Sequence, residues 1–252
     1  MVSHRLTDPK RRECVRDYAW LTRHICVRAI RRSRRLGAIC DGDRLAAAID
    51  KTDAMTNDEA SQPDPDIPTE RRFGWSNLFV APEEDPRSDV PSVGERATLI
   101  DFLTGCRQTL ELKCQGLSAA QMARRSVPPS NMSLLGLLRH MADVERYWFR
   151  QVLSGEDAPR RYRTNEDRDA DFNGARPDPA FVSNAWDAWH EEVAYAEQYV
   201  DGCGDLGATV PLPDEEEVIA VREVIVHMVE EYARHCGHAD LLRERIDGRV
   251  GA

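Results

Sequence analysis

From residue 93 to residue 248 the apolar residues recur at helical spacing with no convincing run of β-type alternation, and this limits the chain to an all-α fold. Four long stretches carry the pattern. The first, about 94–115, presents Leu99, Phe102, Leu103, Cys106, Leu110 and Leu112 and stops at Gly116. The second, about 131–153, has Ser133 among its first residues and Gly155 just beyond its end. The polar stretch 156–177, EDAPRRYRTNEDRDADFNGARP, is too hydrophilic to be core and reads as a loop. The third, about 179–201, has Asp178 placed to cap it and Pro179 at its first position, where a missing N–H costs nothing. The fourth, about 214–246, opens with the acids Asp214, Glu215, Glu216 and Glu217, which suit the positive end of a helix dipole, and closes before Gly248. ATVPLP at 208–213 is too short to found a sheet. Four amphipathic helices joined by loops bury their faces most simply as a four-helix bundle.

Upstream the character changes. Residues 56–71, TNDEASQPDPDIPTER, are polar and proline-rich and read as a linker or leader, with Met55 directly before them. The expected division is an N-terminal extension with linker over 1–83 and the bundle over 84–252. Residues 1–54 are expected to be dispensable upstream sequence from an early start codon, with a small helical appendage around CVRDYAWLTRHICVRAI as the rival reading. Charge follows the same division: residues 1–54 carry 13 Lys and Arg against 7 Asp and Glu, whereas the rest carries 21 against 37. An acidic body repels polyanions, so nucleic acid is a poor partner for it, and the short basic run 31–37 (RRSRRLG) does not change that. No segment approaches the ~20 apolar residues of a membrane span, and no signal peptide opens the chain, so a cytoplasmic location is expected. The seven cysteines include no CxxC pair and read as free thiols; a zinc knot from His24, Cys26 and Cys40 fits no trusted spacing.

The chemistry is concentrated in HMVEEYARHCGHADLLRE, residues 227–244. At about 100° per residue, His227, Glu231, His235 and His238 share one stripe roughly 80° wide. Val224 and Leu242 continue that stripe at its two ends, so it is expected to face the bundle interior. A glutamate there needs a cation or a donor. The second helix offers a counterpart, since His140 lies amid Gly136, Leu137, Val144 and Tyr147 on a mostly apolar face. One such histidine alone reads as a satisfied core residue, but the stripe of four opposite it favours a metal site with open positions. A metal-free hydrogen-bond network remains the alternative, and spacing alone does not select which three residues bind. Elsewhere, His190 shares a face with Trp186 and Val193 and reads as core. Trp148, Tyr147 and Trp189 read as packing, and Asp143, Glu145 and Arg146 as a solvated or locally ion-paired face.

The segments NMSLLGLLRHMADVERYWFR (131–150) and HMVEEYARHCGHADLLRERIDG (227–248), with ERATLIDFLTGCRQTLELKCQGLS (95–118), resemble the DinB superfamily, in particular its mini-circle-type branch of unknown function. The resemblance covers about 84–248. It implies a four-helix bundle holding a divalent ion by one histidine of the second helix and two residues four apart on the last. Relatives often have an HRGQ-like ending there; HCGH (235–238) occupies that place, which aligns His235 with the second of the pair and Glu231 with the first. The implied ligands are therefore His140, Glu231 and His235, with His227 and His238 as catalytic neighbours. The departure from HRGQ leaves the role of His238 open.

Characterised DinB-like proteins include transferases that join low-molecular-weight thiols to electrophiles, so the resemblance implies a metal-dependent thiol S-transferase. The expected cofactor is a divalent ion, zinc or nickel, and the expected partners are a small thiol and a small electrophile. Three lysines against 31 arginines indicate a GC-rich bacterial gene, which makes mycothiol the first choice of thiol. A hydrolase using metal-activated water, or a non-enzymatic stress-linked metal-binding module, are the alternatives. Dimers are common in the superfamily, so a homodimer is also expected.

Overall fold

The computed structural model describes residues 80, 85–87, 91–213 and 217–250. The expectations for residues 1–54, for the zinc knot and for the boundary at 83/84 lie outside the described residues. Four long helices make up the rest: α1 (Glu95–Cys114), α3 (Leu134–Glu145), α5 (Pro179–Gly202) and α6 (Val221–Asp247). Two single-turn helices, α2 (Ala119–Met122) and α4 (Ala170–Asn173), lie in the connections. The helical bundle expected from the periodicity is present.

Local chemistry explains the boundaries. Ser133 caps α3 by accepting from the Gly136 N–H at 3.1 Å. Asp178 caps α5 through the Ala180 N–H at 2.8 Å, with Pro179 at the first position. Gly248, at φ 77°, ends α6 in the left-handed conformation that glycine adopts without strain. The acidic run does not open α6. Val218–Ala220 (β2) pairs antiparallel with Thr209–Pro211 (β1), and the helix starts only at Val221. The β-branched Val218 and Ile219, the latter opposite Val210, favour that ribbon over a helical start.

Two further expectations are corrected by the packing. The second helix does run to Leu153, but over Arg146–Leu153 it widens into a π-helix, in which the Ser154 N–H bonds back to the Phe149 carbonyl. On α1 the buried residues are Leu103, Arg107, Leu110, Lys113 and Cys114, while Phe102 is 62% exposed. Phe102 turns to solvent beside the buried Leu103, and the buried face includes Lys113 and the charge of Arg107.

That charge belongs to a network absent from the sequence reading. The Arg107 guanidinium donates to both oxygens of Glu145 at 2.8 and 2.9 Å; Tyr232 donates to Glu145 at 2.7 Å, and the Trp189 indole donates to Tyr232 at 2.8 Å. One residue comes from each long helix, and all four are buried. Asp143 and Glu145 are therefore not on a solvated face, since both are fully buried. Arg146 is ion-paired as well, but with Glu192 of α5 at 2.7 Å and not with a neighbour on its own helix.

The main packing pairs are α1 on α6 and α3 on α5, with α3 also meeting α6. The rings of His140 and His235 lie 4.7 Å apart and those of Trp148 and His227 also 4.7 Å. As residue numbers rise along one helix and fall along the other, α3 and α6 run antiparallel across the site.

Candidate functional site

His140 is carried by α3, and Glu231, His235, His238 and His227 by α6. Four-residue steps keep the α6 groups on one helix face, and the antiparallel crossing brings His140 to them. One donor atom from each of His140, Glu231 and His235 can be chosen so that all lie within 4.8 Å of one another. Among the described residues this is the group that could hold a metal ion. Glu231 and His235 are buried, and the His140 side chain is 12% exposed.

Each member has its own support. Glu231 Oε1 accepts from Arg234 at 3.0 Å, and its Oε2 lies 3.5 Å from His235 Nε2. His238 Nδ1 stands 3.3 Å from His235 Nδ1, so one of these nitrogens donates and the other accepts. His235 can offer its Nε2 lone pair to an ion when Nδ1 carries the proton and His238 accepts it; when Nε2 itself carries a proton it donates to Glu231 instead. His140 Nδ1 meets Asp171 Oδ2 at 2.7 Å, which leaves Nε2 for the site.

His227 sits one turn before Glu231. Its Nε2 is 3.8 Å from Glu231 Oε1, beyond hydrogen-bond reach, and is buried without a partner. The Trp148 ring, carried by the π-helix, lies against it, and its indole N–H is likewise buried and unpaired.

Burial holds the imidazoles of His227, His235 and His238 below the ordinary 6.5, although Glu231 draws those of His227 and His235 back up. Burial pushes the Glu231 carboxyl up. The His235 hydrogen bond and the charges of His227 and Arg234 outweigh it and bring Glu231 down to about 2. At neutral pH the stripe is thus one carboxylate among neutral imidazoles. That is the protonation state a divalent ion requires of its ligands, so the donor set fits the group.

A stability consequence follows. The unfolded chain takes up protons at His227 and His235 near 6.5, whereas the folded protein resists them. The histidines' contribution is therefore fully present above about pH 6.5 and is lost as the pH falls through that value toward the lowered folded pKa values. The metal-free protein is expected to melt progressively lower from pH 7 to pH 5, with a shallower slope in His227→Gln. Melting curves across that range that coincide for the two proteins contradict this reading.

Two groups in the site were missed from sequence. Asp171 is 1% exposed, and Phe172 stacks on His140 at 5.3 Å, both from α4 within the stretch read as a polar loop. A phenylalanine in a run of charged residues was the available signal, because Phe172 favours burial and carries its neighbour with it. His190, read as core, is instead 54% exposed, stacked on Trp186 at the surface. Trp189 and Tyr147 are buried packing residues, as expected.

A family model described as mycothiol-S-transferase matches residues 98–248, from the first turn of α1 to the end of α6. The chain belongs to the mycothiol-S-transferase family. The match takes in every candidate site residue and agrees with the DinB-like resemblance of the helices that carry them. Membership in the mycothiol-S-transferase family makes a thiol-linked function the frame for the site. None of the curated proteins matches the chain. Among the described residues no helix is long and apolar enough to cross a membrane.

Proposed function

We propose that this protein joins mycothiol through its sulfur to a small electrophile, using a divalent ion, zinc or nickel, held by His140, Glu231 and His235. The observation that carries the reading is the convergence of these three donors from two helices within 4.8 Å, in a member of a mycothiol-S-transferase family. When bound, such an ion favours ionisation of a thiol near neutral pH, and thiolate is the reactive nucleophile.

The chain's own residues supply the rest. Glu231 brings one negative charge to the ligand set, and Arg234 holds it in place from the partly exposed side. His227 is neutral and its Nε2 is unpartnered beside Glu231, so it is placed to accept the thiol proton and hand it to the leaving group. His238 Nδ1 lies 3.3 Å from His235 Nδ1, and in the tautomer in which His235 donates there it fixes Nε2 of that ring as the nitrogen facing the site. The Trp148 ring packs against His227 and the Phe172 ring against His140, which gives both imidazoles an apolar neighbour. A cytoplasmic location, where mycothiol would be met, and a homodimer complete the proposal.

The test combines metal dependence with the nature of the nucleophile. An ion that binds only the folded state at about 100 times its Kd adds about 2.7 kcal/mol, which for a domain this size raises Tm by roughly 5–10 °C. EDTA is expected to lower Tm by that amount and zinc to restore it, with His140→Ala unresponsive. With 1-chloro-2,4-dinitrobenzene as the electrophile, turnover is expected with mycothiol and not with water alone. A zinc-responsive protein that hydrolyses esters and ignores mycothiol overturns the reading in favour of a hydrolase.

A further inference from the structure

We infer that Asp171 is a positioning residue that makes His140 the anchoring ligand of the site, and that the polar segment 155–178 exists to hold it there. The inference rests on the reading of the cluster as a metal site. Asp171 lies 31 residues from His140 in sequence, on the four-residue helix α4. Its Oδ2 is 2.7 Å from His140 Nδ1, and its Oδ1 accepts from the Phe172 N–H at 3.0 Å. With one oxygen tied to the backbone, the other can only receive the Nδ1 proton. This leaves the His140 Nε2 lone pair directed at Glu231 and His235.

The segment is fastened to the same helix that carries His140, at three points around it. Four residues before, Gly136 lets Phe172 in, since a Cβ there would stand 2.8 Å from the ring. One residue before, Arg139 donates to the carbonyls of Gly174 and Ala170 at 3.0 and 2.9 Å, and its guanidinium covers the Tyr162 ring at 4.2 Å. Three residues after, the fully buried Asp143 carboxylate accepts from the consecutive N–H groups of Arg161, Tyr162 and Arg163 at 2.6, 3.2 and 3.0 Å. Asp171 is thereby fixed relative to His140 whatever α6 does. The two histidine ligands are unequal as a result. His140 is backed by a buried carboxylate, and His235 by the neutral, partly exposed His238. A carboxylate behind a ligand imidazole raises its basicity and sets its tautomer, and loss of such a partner typically costs 10–100-fold in metal affinity.

The experiment uses the full chain and zinc alone. In the zinc-free wild type, 15N chemical shifts of the histidine side chains are expected to show His140 as the Nδ1–H tautomer. Asp171→Asn, which keeps the volume and removes the charge, is expected to bind zinc at least about tenfold more weakly by chelator competition. Asp171→Ala, which also removes the acceptor, is expected to shift His140 toward the Nε2–H tautomer. A wild type with His140 as Nε2–H overturns the inference without any variant. So does an Asp171→Asn protein that binds zinc as tightly as the wild type, an outcome that leaves the metal site itself standing. A wild type that takes up no zinc overturns both.

Discussion

Glu231→Gln weakens zinc binding by at least about tenfold, whereas His227→Gln leaves affinity near that of the wild type and slows turnover. The two residues are one helical turn apart and both point at the same region, so the pair is the sharpest test of which groups hold the ion. Glu231 is held ionised down to about 2 by its hydrogen bond to His235 and the nearby His227 and Arg234 charges, against the burial that opposes it. Glutamine keeps the shape but brings no charge, and the neutral site then offers the ion only dipoles. His227 lies outside the group of donors within 4.8 Å of one another, and its Nε2 stops 3.8 Å short of Glu231. Its removal therefore leaves the ligand set complete while taking away a proton acceptor. Equilibrium titration of zinc against both variants decides the matter. Wild-type affinity in Glu231→Gln together with loss of the ion in His227→Gln would move the ligand assignment by one turn of α6.

Arg107→Met destabilises the fold more than any surface charge substitution, by about 3–5 kcal/mol, because it strands the Glu145 carboxylate in the core. Arg107 is 5% exposed and Glu145 is fully buried, and their two-pronged contact is the main neutralising interaction at that point. Tyr232 donates one hydrogen bond to Glu145 but carries no charge to balance it. At a few degrees per kcal/mol, Tm should fall by roughly 10 °C or more. The double variant Arg107→Met, Glu145→Leu removes both buried charges and takes from the core only the acceptor of the Tyr232 hydroxyl, which still receives the Trp189 N–H, so it should recover much of the loss. Thermal melts of the two variants read this directly. A single variant within about 2 °C of the wild type would show that the network does not hold the four helices in register. Because Tyr232 adjoins Glu231 and Glu145 lies five residues beyond His140, the network also fixes both helices that carry candidate ligands.

The helical period alone placed Glu231, His235, His227 and His238 on one face and His140 at the centre of another. Within a helix the direction of each side chain follows from its number, so that much needs no tertiary information. The cap at Asp178 and the stop at Gly248 were legible for the same reason, being local chemistry, whereas Ser133, read as one of the first helical residues, is the cap itself. Selecting His140, Glu231 and His235 from the stripe already required the family resemblance, because spacing leaves four equivalent candidates.

Other features depend on residues far apart in the chain. Asp171 and Phe172 stand in a run of charged residues with no period, and only the fastening of that segment to Gly136, Arg139 and Asp143 turns them inward. Charge in a sequence normally signals solvent, yet Arg107, Asp143 and Glu145 are buried because each finds its partner on another element. The π-turn that brings Trp148 to His227 departs from the regular period used to read the helix, and so shifts every side chain beyond it. The sequence by itself determined the long helices and the faces that carry His140 and the His227–His238 stripe, since these follow from local geometry. Only the tertiary structure decided which charged groups are buried, what supports His140, and which aromatic rings pack against the histidines, because those depend on pairings between segments that no local pattern encodes.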